Sequence, residues 1–513
     1  MPDRATPTAA EVPRPALVAP VRLGQLAART ALASPARDAE VTGVTNNTAF
    51  VRPGDLFAAA PGRTGHGVRY AGDAVAAGAL AVLTDAAGRE QLDVDVPVLE
   101  APDVRGVLGA ISAIVYGEPS RRLAVLGITG TSGKTTTTYL LHAGLRAAGR
   151  KPALIGTVAT LIGEQEVKTG FTTPEAPELQ ALLAVIGERG GTDVAMEVSS
   201  HALAMGRADG IEFAVGAFTN LSEDHLDFHA DMKEYFAAKA RLFEPGRSRR
   251  AVIVVDDSWG RRLAAAVPGC VTVRTSGSAA TWRTSAVRSQ PDGSTAFRVH
   301  GPGVEFETAC AIPGRYNVAN AALALAVLHE DGVPLEMAAP AVAGAVVPGR
   351  MERIDGGQPF LAIVDYSHKP AAVRGALRAL RPLTPGRLTI VLGCGGDRDR
   401  GKRPHMGEIA AREADLLVVT DDNPRSEDPA AIRAAMVAGA LAVPAAKRAE
   451  ILEIGSRADA IAAAVAAARS DDTVLVAGKG HETGQEIAGV VHPFDDRAVL
   501  RQAIAAAQTG AGR

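Results

Sequence analysis

The sequence predicts an α/β protein of three domains, two of them built on parallel sheets. Short apolar runs alternate with helical stretches along most of the 513 residues, as in doubly wound folds. A glycine-rich turn separates one such run from a helix, and a second series of strands, each ending in a polar loop, fills the last third. We expect a disordered tail at 1–20, a small α/β domain at 21–120, a central parallel-sheet domain at 121–347 and a Rossmann-like domain at 348–513.

Composition narrows the classes of function. The chain is 47% apolar and 22% charged with a formal net charge of −3, and no basic run predicts nucleic-acid binding. Cys270, Cys310 and Cys394 lie far apart without metal-site spacing, so free thiols in a reducing cytoplasm are expected. No apolar run reaches the length of a membrane span.

The first domain shows strand patterns at Val41–Thr45 and Ala79–Thr84, with a helical pattern at Tyr70–Gly78 between them. The loop Gly62–Gly67 could offer backbone amides to a phosphate or a uracil. A structural lid without a ligand is an equally good interpretation of this domain alone.

The second domain opens on a nucleotide-binding pattern. The apolar run Leu123–Ile128 predicts a strand, Gly130-Thr-Ser-Gly-Lys-Thr135 a tight loop, and Lys134 begins a helical pattern. This order gathers backbone amides and a helix N-terminus at one point, which favours phosphate. Lys134 would reach the outer phosphates and the Thr135 hydroxyl would bind Mg²⁺. The alternative is a glycine-rich turn with an exposed lysine.

Polar clusters follow the next strands of this domain. Glu197 ends one strand and could hold Mg²⁺ opposite Thr135, and His225 after the next strand could be a further ligand. Lys239 lies in a predicted helix, Met232–Phe243. Turn and capping chemistry is the alternative for these clusters. Asn317 and Asn320 share a helix face, which suits either an adenine contact or an N-terminal cap.

The third domain repeats the strand-loop pattern with loops rich in Asp, Arg and His. Arg398, Arg425 and Glu482 follow three different predicted strands. Guanidinium groups bind carboxylates and a carboxylate binds an ammonium, so this set suits a zwitterionic substrate. For any one arginine, a solvated surface position is the alternative.

Together these motifs resemble the Mur ligase family, which builds the peptide stem of peptidoglycan. The resemblance covers about Val41 to Asp496. It is carried by these segments: Gly130-x-x-Gly-Lys-Thr135, Glu197-Val-Ser-Ser-His201, Thr219-Asn-Leu-x-x-Asp-His-Leu-Asp227, Asn317-x-x-Asn320, Pro348-Gly-Arg350 and Asp365-Tyr-x-His368. The loops Asp422-Asn-Pro-Arg425 and Gly478-Lys-Gly-His-Glu482 look like those of members that add meso-diaminopimelate.

The resemblance implies a role for each matching residue. It implies ATP binding by Gly130, Thr131, Ser132, Gly133, Lys134, Thr135, Thr136, Asn317, Arg350 and Asp365. It implies binding of the UDP-linked substrate by Thr48, Thr172, Thr173, Ser199 and Arg207. It implies amino-acid binding by Arg398, Asp422, Asn423, Pro424, Arg425, Gly478 and Glu482. It implies Mg²⁺ ligands from Thr135, Glu197, His225 and a carbamylated Lys239, with Lys134, His225 and Lys239 as catalytic residues. The family pattern of Asp and Arg is replaced here by Asn47 and Ala49, and a Gln of some relatives by Met205.

The implied reaction is ATP-dependent amide formation through an acyl phosphate in the cytoplasm. Its substrates would be ATP, UDP-N-acetylmuramoyl-L-alanyl-D-glutamate and meso-diaminopimelate, handled by a monomer whose domains close over ATP. Three alternatives stay open: the same reaction with L-lysine, a ligase resembling folylpolyglutamate synthase, and a nucleotide-binding scaffold without turnover.

Overall fold

The structure is a computed structural model that describes residues 12–62, 65–277, 279–290 and 293–510. The chain forms two compact units. The first contains the residues up to 283 together with 300–304 and 319–342. The second contains 284–299, 305–318 and the chain from 343 onward.

The N-terminal part of the first unit is a small parallel sheet covered by helices. Its strands are β1 Val21–Arg22, β2 Glu40–Val41, β3 Gly43–Thr45, β4 Asp55–Ala58, β5 Pro61–Gly62, β6 Gly65–His66, β7 Ala81–Thr84 and β8 Val98–Glu100. Its helices are α1 Leu23–Arg29, α2 Ala71–Ala76, α3 Ala86–Gln91 and α4 Val104–Val115. The parallel sheet has the order β3-β4-β7-β8. The predicted strand Val41–Thr45 is divided between β2 and β3, which belong to different sheets.

The segment just before β1 differs from the predicted disordered tail. Residues 1–11 lie outside the described residues. Val12 is buried at 4% exposure, and Arg14 makes an ion pair of 2.7 Å with the buried Asp55. Composition suggested disorder, but one apolar and one charged side chain fix residues 12–14 against the folded protein.

The remainder of the first unit is built on a larger sheet. The last three strands of this sheet include residues of the second unit. In chain order, the strands are β9 Ala124–Thr129, β10 Pro152–Ile155, β11 Thr160–Ile162, β12 Gln165–Val167, β13 Asp193–Glu197, β14 Phe213–Phe218, β15 Ser248–Val254, β16 Val271–Arg274, β17 Trp282–Ser289, β18 Thr295–Gly301 and β19 Val304–Cys310. The helices are α5 Lys134–Ala147, α6 Ala176–Glu188, α7 Ser200–Ala204, α8 Met232–Ala240, α9 Ser258–Ala266, α10 Arg315–Glu330 and α11 Leu335–Gly344.

Strand order in this sheet places the glycine-rich loop centrally. The parallel strands run β10-β13-β9-β14-β15-β16, so β9 lies between β13 and β14. Apolar side chains of these strands, such as Val125, Val194 and Phe213, form one buried core. Because parallel neighbours end at the same edge, the residues that follow β9, β13 and β14 share that edge.

The second unit contains a second mostly parallel sheet, of order β20-β21-β25-β22-β23-β24. The strands of this part are β20 Glu352–Arg353, β21 Leu361–Asp365, β22 Leu388–Leu392, β23 Leu416–Val419, β24 Glu450–Glu453, β25 Thr473–Ala477, β26 Gly484–Ile487 and β27 Val490–Pro493. The helices are α12 Pro370–Leu380, α13 Lys402–Glu413, α14 Pro429–Leu441, α15 Arg457–Ala467 and α16 Asp496–Gly510. Only β20 runs antiparallel to its neighbour among the paired strands of this sheet. Across the described ranges, no helix combines the length and apolarity that crossing a bilayer requires.

A buried ion pair joins two helices of the second unit. Arg457, at the start of α15, donates from Nε and Nη2 to the two carboxylate oxygens of Asp496, each at 2.7 Å. Both side chains are fully buried. Two parallel bonds between a planar guanidinium and a carboxylate are charge-assisted, and each is stronger than a hydrogen bond between neutral groups.

We expect Arg457→Ala to reduce the free energy of unfolding by about 3–5 kcal/mol, because Asp496 would remain buried without its cation. Thermal and urea unfolding of the full chain would measure this. The double variant with Asp496→Ala should lose less than the sum of the single losses. Strictly additive losses would show that the two side chains do not act as a pair.

Candidate active site

The loop after β9 has the geometry of a phosphate-binding loop. Lys134, the first residue of α5, curls back over the loop and donates from Nζ to the carbonyls of Gly130 and Thr131, both at 3.0 Å. Thr136 is buried in the first turn of the same helix. The loop amides and the helix N-terminus therefore form an anion site with a lysine across it.

Glycine is required at two positions of this loop. Gly130 has a φ of +146°, and a Cβ there would lie 1.8 Å from Thr219 Oγ1. Gly133 has a φ of +88°, and its Cβ would lie 2.3 Å from Asn320 Oδ1. Such approaches exclude any side chain, and the positive φ values also favour glycine.

The residues after β14 brace the loop. Asn220 accepts a hydrogen bond from Ser132 N at 3.1 Å and donates to Ser132 O at 3.0 Å. Thr219 Oγ1 donates to the same carbonyl at 2.6 Å, and Thr131 Oγ1 lies 3.1 Å from the Tyr235 hydroxyl. The loop is thus held in one shape by its neighbouring strand.

The structure brings together Thr135 and Glu197, the two residues predicted to hold Mg²⁺ from opposite sides. Thr135 Oγ1 donates to Glu197 Oε1 at 2.9 Å, and Glu197 is 1% exposed at the end of β13. Its carboxylate also accepts from Thr157 N at 2.8 Å and from Thr157 Oγ1 at 3.1 Å. These donors are neutral hydroxyl and amide groups, and they hold the buried carboxylate in a fixed orientation.

This pair fits a hard divalent cation. A hydroxyl and a carboxylate oxygen at hydrogen-bond distance are ligands that Mg²⁺ accepts. In the described part of the chain, no three His, Cys, Asp or Glu side chains gather as a metal cluster. The further ligands would be the predicted His225 together with groups outside such a cluster, such as a nucleotide phosphate or a modified lysine.

Lys239 lies buried beside the loop. Its side chain is 1% exposed, and Nζ donates to Gly130 O at 2.7 Å. Nζ also lies 4.6 Å from the centre of the Tyr235 ring. The helix α8 ends at Ala240, earlier than the predicted Phe243, because a short 3₁₀ turn follows.

His225 stands at the edge of this region with a partly exposed side chain. Its backbone has a φ of +54°, and Nε2 lies 3.3 Å from Asp224 Oδ2. The His225 ring meets His201 edge-on with centroids 4.8 Å apart. Burial lowers the pKa of His201 below its ordinary value.

Three of the residues assigned to the UDP-linked substrate lie next to Glu197 or its hydrogen-bond partners. Thr172 Oγ1 lies 3.0 Å from the Thr157 hydroxyl, which bonds to the carboxylate. Thr173 Oγ1 donates to Glu197 O at 3.0 Å and accepts from Ser199 N at 3.2 Å.

Arg207 completes this group. Its Nε lies 2.9 Å from Glu175 Oε1, and its guanidinium carbon lies 4.2 Å from the centre of the Phe171 ring. Thr48 lies apart from these residues in the chain, in a 3₁₀ turn that Asn47 caps by accepting a bond from Ala49 N at 3.0 Å. This cap would form equally with the aspartate of the family pattern, so it does not explain the departure at Asn47.

The residues assigned to adenine and ribose make local bonds in the second unit. Asn317 donates from Nδ2 to Pro313 O at 2.7 Å, an arrangement at the start of α10. Asp365 accepts from Met351 N at 2.8 Å and from Ser367 N at 3.0 Å. The Arg350 guanidinium carbon lies 4.0 Å from the centre of the Tyr366 ring.

The residues assigned to the amino acid are brought together at one edge of the second sheet. Asn423 donates from Nδ2 to Glu482 Oε2 at 3.0 Å. Lys479 Nζ donates to Asn423 Oδ1 at 2.8 Å and lies 3.4 Å from Asp422 Oδ1. Burial raises the pKa of Asp422, but Arg457 and Lys479 outweigh it and hold that pKa below its ordinary value.

Arg425 joins this group through the hairpin β26–β27. Its Nη1 donates to Gly396 O at 2.7 Å, and its Nε lies 3.2 Å from Glu486 Oε2. Pro424 is buried beside Gly396. Arg398 is exposed on the same loop as Gly396, so the structure places it near the group without a contact to it.

Comparison with known proteins decides the family. The chain matches the models of the Mur ligase middle domain at 128–328, of the Mur ligase glutamate ligase domain at 349–480 and of the Mur ligase family catalytic domain at 40–116. It is 54% identical over 498 residues to a UDP-N-acetylmuramoyl-L-alanyl-D-glutamate--2,6-diaminopimelate ligase of Streptomyces avermitilis, covering 96% of this chain and 98% of the relative. The chain belongs to the Mur ligase family.

Further similarities agree with this Mur ligase assignment. A ligase of the same name from Corynebacterium glutamicum is 51% identical, covering 88% of this chain and 89% of the relative. A solved structure of a ligase of that name is 32% identical, with a TM-score of 0.67 over 91% of this chain and 96% of that chain. The predicted family and the α/β fold of a Mur ligase are confirmed.

Sequence reasoning missed Lys479, the most buried charged residue of the amino-acid group in this Mur ligase. The side chain is 0% exposed although a glycine precedes and follows it. It also missed Arg457 and Asp496, which lie 39 residues apart in the chain. Lys479 lies within the motif Gly478-Lys-Gly-His-Glu482, but only its burial distinguishes it from an exposed loop lysine.

Proposed function

We propose that this chain is an ATP-dependent amide ligase that adds meso-diaminopimelate to UDP-N-acetylmuramoyl-L-alanyl-D-glutamate. The observation that carries the proposal is the 54% identity, over 96% of this chain, to a relative of that name. The loop geometry at Lys134 and the buried polar group around Asn423 support it independently, since one suits a phosphate and the other a zwitterion.

The first chemical step makes an acyl phosphate. A carboxylate of D-glutamate takes the γ-phosphoryl group of ATP, and ADP is released. Lys134 and the loop amides orient the triphosphate and hold its negative charge. Thr135, Glu197, His225 and a modified Lys239 would hold Mg²⁺, which when bound offsets charge on the phosphoryl group. We propose that Thr172, Thr173, Ser199 and Arg207, together with Thr48, bind the UDP-linked substrate.

The second step forms the amide. The amine nitrogen of diaminopimelate attacks the acyl carbon, loses a proton, and inorganic phosphate leaves. Glu482 is the carboxylate that we propose for a substrate ammonium, with Asn423 beside it. Arg425 uses Nη1 and Nε in its internal bonds, and its Nη2 is the donor that we propose for a substrate carboxylate.

Dependence of ADP release on each substrate tests the proposal. We expect sustained ADP release only when ATP, the UDP-linked dipeptide and diaminopimelate are all present. Omitting the amine should leave at most the first turnover. ADP release that is independent of the dipeptide would contradict the proposal, and no release under any combination would favour a nucleotide-binding scaffold.

We further propose that Lys239 reacts with carbon dioxide to form a carbamate. The ammonium first loses a proton, the resulting amine nitrogen attacks carbon dioxide, and a second proton leaves as the N–C bond forms, so the nitrogen keeps one hydrogen for the bond to Gly130 O. A carbamate would change a buried cation into an oxygen ligand, which suits the cation site beside Glu197.

NMR after exposure to isotopically labelled bicarbonate should show one carbamate signal that is absent from Lys239→Met. We expect that variant to lose about 10²-fold or more in turnover, because a ligand of the cation is removed. Lys151→Met, which alters an exposed lysine in the same unit, is the control. A wild-type spectrum without the signal would contradict the modification.

A further inference from the structure

Five charged side chains form a buried cluster at the carboxyl edge of the second sheet. We define this charge cluster as Asp422, Arg457, Lys479, Glu482 and Asp496. From the interior outward, negative and positive side chains alternate in the order Asp496, Arg457, Asp422, Lys479 and Glu482. The fully buried pair Asp496–Arg457 is innermost, and Lys479 lies 3.4 Å from Asp422 and 3.9 Å from Glu482.

Gly478 connects the inner and outer halves of the charge cluster. A Cβ at this glycine would lie 3.2 Å from Asp422 Oδ2 and 3.7 Å from Arg457 Nη2, so both side chains pack on it. Arg457 Nη2 also donates to Ala477 O at 3.0 Å, at the end of β25. The ion pair thereby holds the strand from which the loop with Lys479 departs.

The Lys479 ammonium group contacts three different segments of the chain. Its Nζ donates to Asn423 Oδ1 and to Gly484 O, both at 2.8 Å, besides its contacts with the two outer carboxylates. Asp422 and Asn423 lie in the segment after β23, Glu482 lies in the segment after β25, and Gly484 is the first residue of β26. A single buried ammonium therefore sets the position of Asn423 and Glu482, which the proposed function gives to the amino acid.

The cluster is also unbalanced in charge. Three carboxylates share two cations, and the outermost carboxylate, Glu482, is the most exposed member, at 35%. A cationic group of a ligand would complete the alternation at that end. We propose that Lys479 is a positioning residue that holds Glu482 and Asn423 in place, so that the site selects the ammonium group of the amino acid. This inference rests on the proposed function.

The groups around Glu482 determine its titration. Burial and the carboxylate of Asp422 raise the pKa of Glu482, while Lys479, Asn423 and Arg425 oppose the rise. The Tyr366 hydroxyl faces it too, and burial raises the pKa of that phenol, so it stays neutral. His368 faces Asp422, and burial lowers its pKa to about 4, so it is neutral near pH 7.

Removal of the Lys479 charge would raise the pKa of Glu482 further. Ammonium binding needs the ionised carboxylate, so binding is lost as pH falls through that pKa. The acid limb of the pH profile of kcat/KM for diaminopimelate should therefore move to higher pH, by about one unit or more, in Lys479→Met. KM for diaminopimelate should rise about tenfold or more, with a smaller change in kcat and none in KM for ATP.

The test compares wild type with Lys479→Met, Lys479→Arg and the exposed-lysine control Lys447→Met. Lys479→Arg keeps the charge and should retain the wild-type acid limb, and Lys447→Met should match wild type throughout. If Lys479→Met fails to fold in thermal unfolding, Lys479→Gln replaces it with the same expected shift.

Two outcomes overturn the proposal, and they are distinguishable. A wild-type protein that releases no ADP with diaminopimelate overturns the proposed function and this inference with it. A functional wild type alongside a Lys479→Met variant with unchanged KM and an unmoved acid limb overturns this inference alone. A pure structural role would lower kcat and stability but would leave the acid limb in place.

Discussion

Replacing Lys134 with methionine is expected to reduce ATP-dependent amide formation by about 10³-fold or more. The charge that collects on a transferring phosphoryl group is stabilised mainly by fixed cations and amides. Lys134 is the cation that the loop itself positions, through bonds of 3.0 Å to Gly130 O and Thr131 O. Methionine has a similar length without the charge. ADP release under saturating substrates measures the loss.

The matched control for this change is Lys151→Met, which removes the same charge from an exposed position before β10. It should retain wild-type turnover. Thermal unfolding should show Lys134→Met to be folded, because its side chain is only partly buried at the loop. A Lys134→Met variant within about tenfold of wild type would contradict the assignment of the loop to the triphosphate.

Replacing Arg425 with alanine is expected to reduce kcat/KM for diaminopimelate by about 10²–10³-fold, in line with the loss of a charge-assisted bond to a carboxylate. Diaminopimelate has a carboxylate at its far end that L-lysine lacks. The variant should therefore change little with L-lysine, and the ratio between the two amines should fall. Competition between the amines, followed by the masses of the products, measures that ratio.

The backbone at Arg425 is already in the left-handed region, with a φ of +54°, and its N–H donates to Glu486 O at 3.0 Å. Alanine has the same backbone preference as arginine there, so the variant tests the side chain. Arg412→Ala on the exposed face of α13 is the control and should keep wild-type selectivity. Unchanged selectivity in Arg425→Ala would show that another group binds the distant carboxylate.

The strands at the centre of both sheets were the most predictable part of the fold. The predicted strand Leu388–Leu392 coincides with β22, and the predicted helix start at Lys134 is the first residue of α5. A parallel strand covered on both faces is an uninterrupted apolar run, so its ends are visible in the sequence. The hairpins β11–β12 and β26–β27 are short and contain polar residues, and no such run marks them.

The candidate site likewise contains residues that could be predicted from the sequence and residues that could not. Thr135 and Glu197 could be paired from the sequence because each follows or ends a central parallel strand, and such ends meet at one edge. Lys479 could not be recognised, since a lysine between two glycines resembles a solvent-exposed loop. Lys479 is buried because the segments after β23 and β25 pack together, and tertiary packing of this kind is not visible in the local sequence.

The product formed from a mixture of amines tests the central claim most directly. The protein is incubated with ATP, UDP-N-acetylmuramoyl-L-alanyl-D-glutamate and equal amounts of meso-diaminopimelate, L-lysine and L-glutamate. The masses of the UDP-linked products are then measured by mass spectrometry. We predict a product that carries diaminopimelate, with stoichiometric ADP and phosphate. A product that carries L-lysine or L-glutamate, or an unchanged dipeptide while ATP is consumed, would contradict the account.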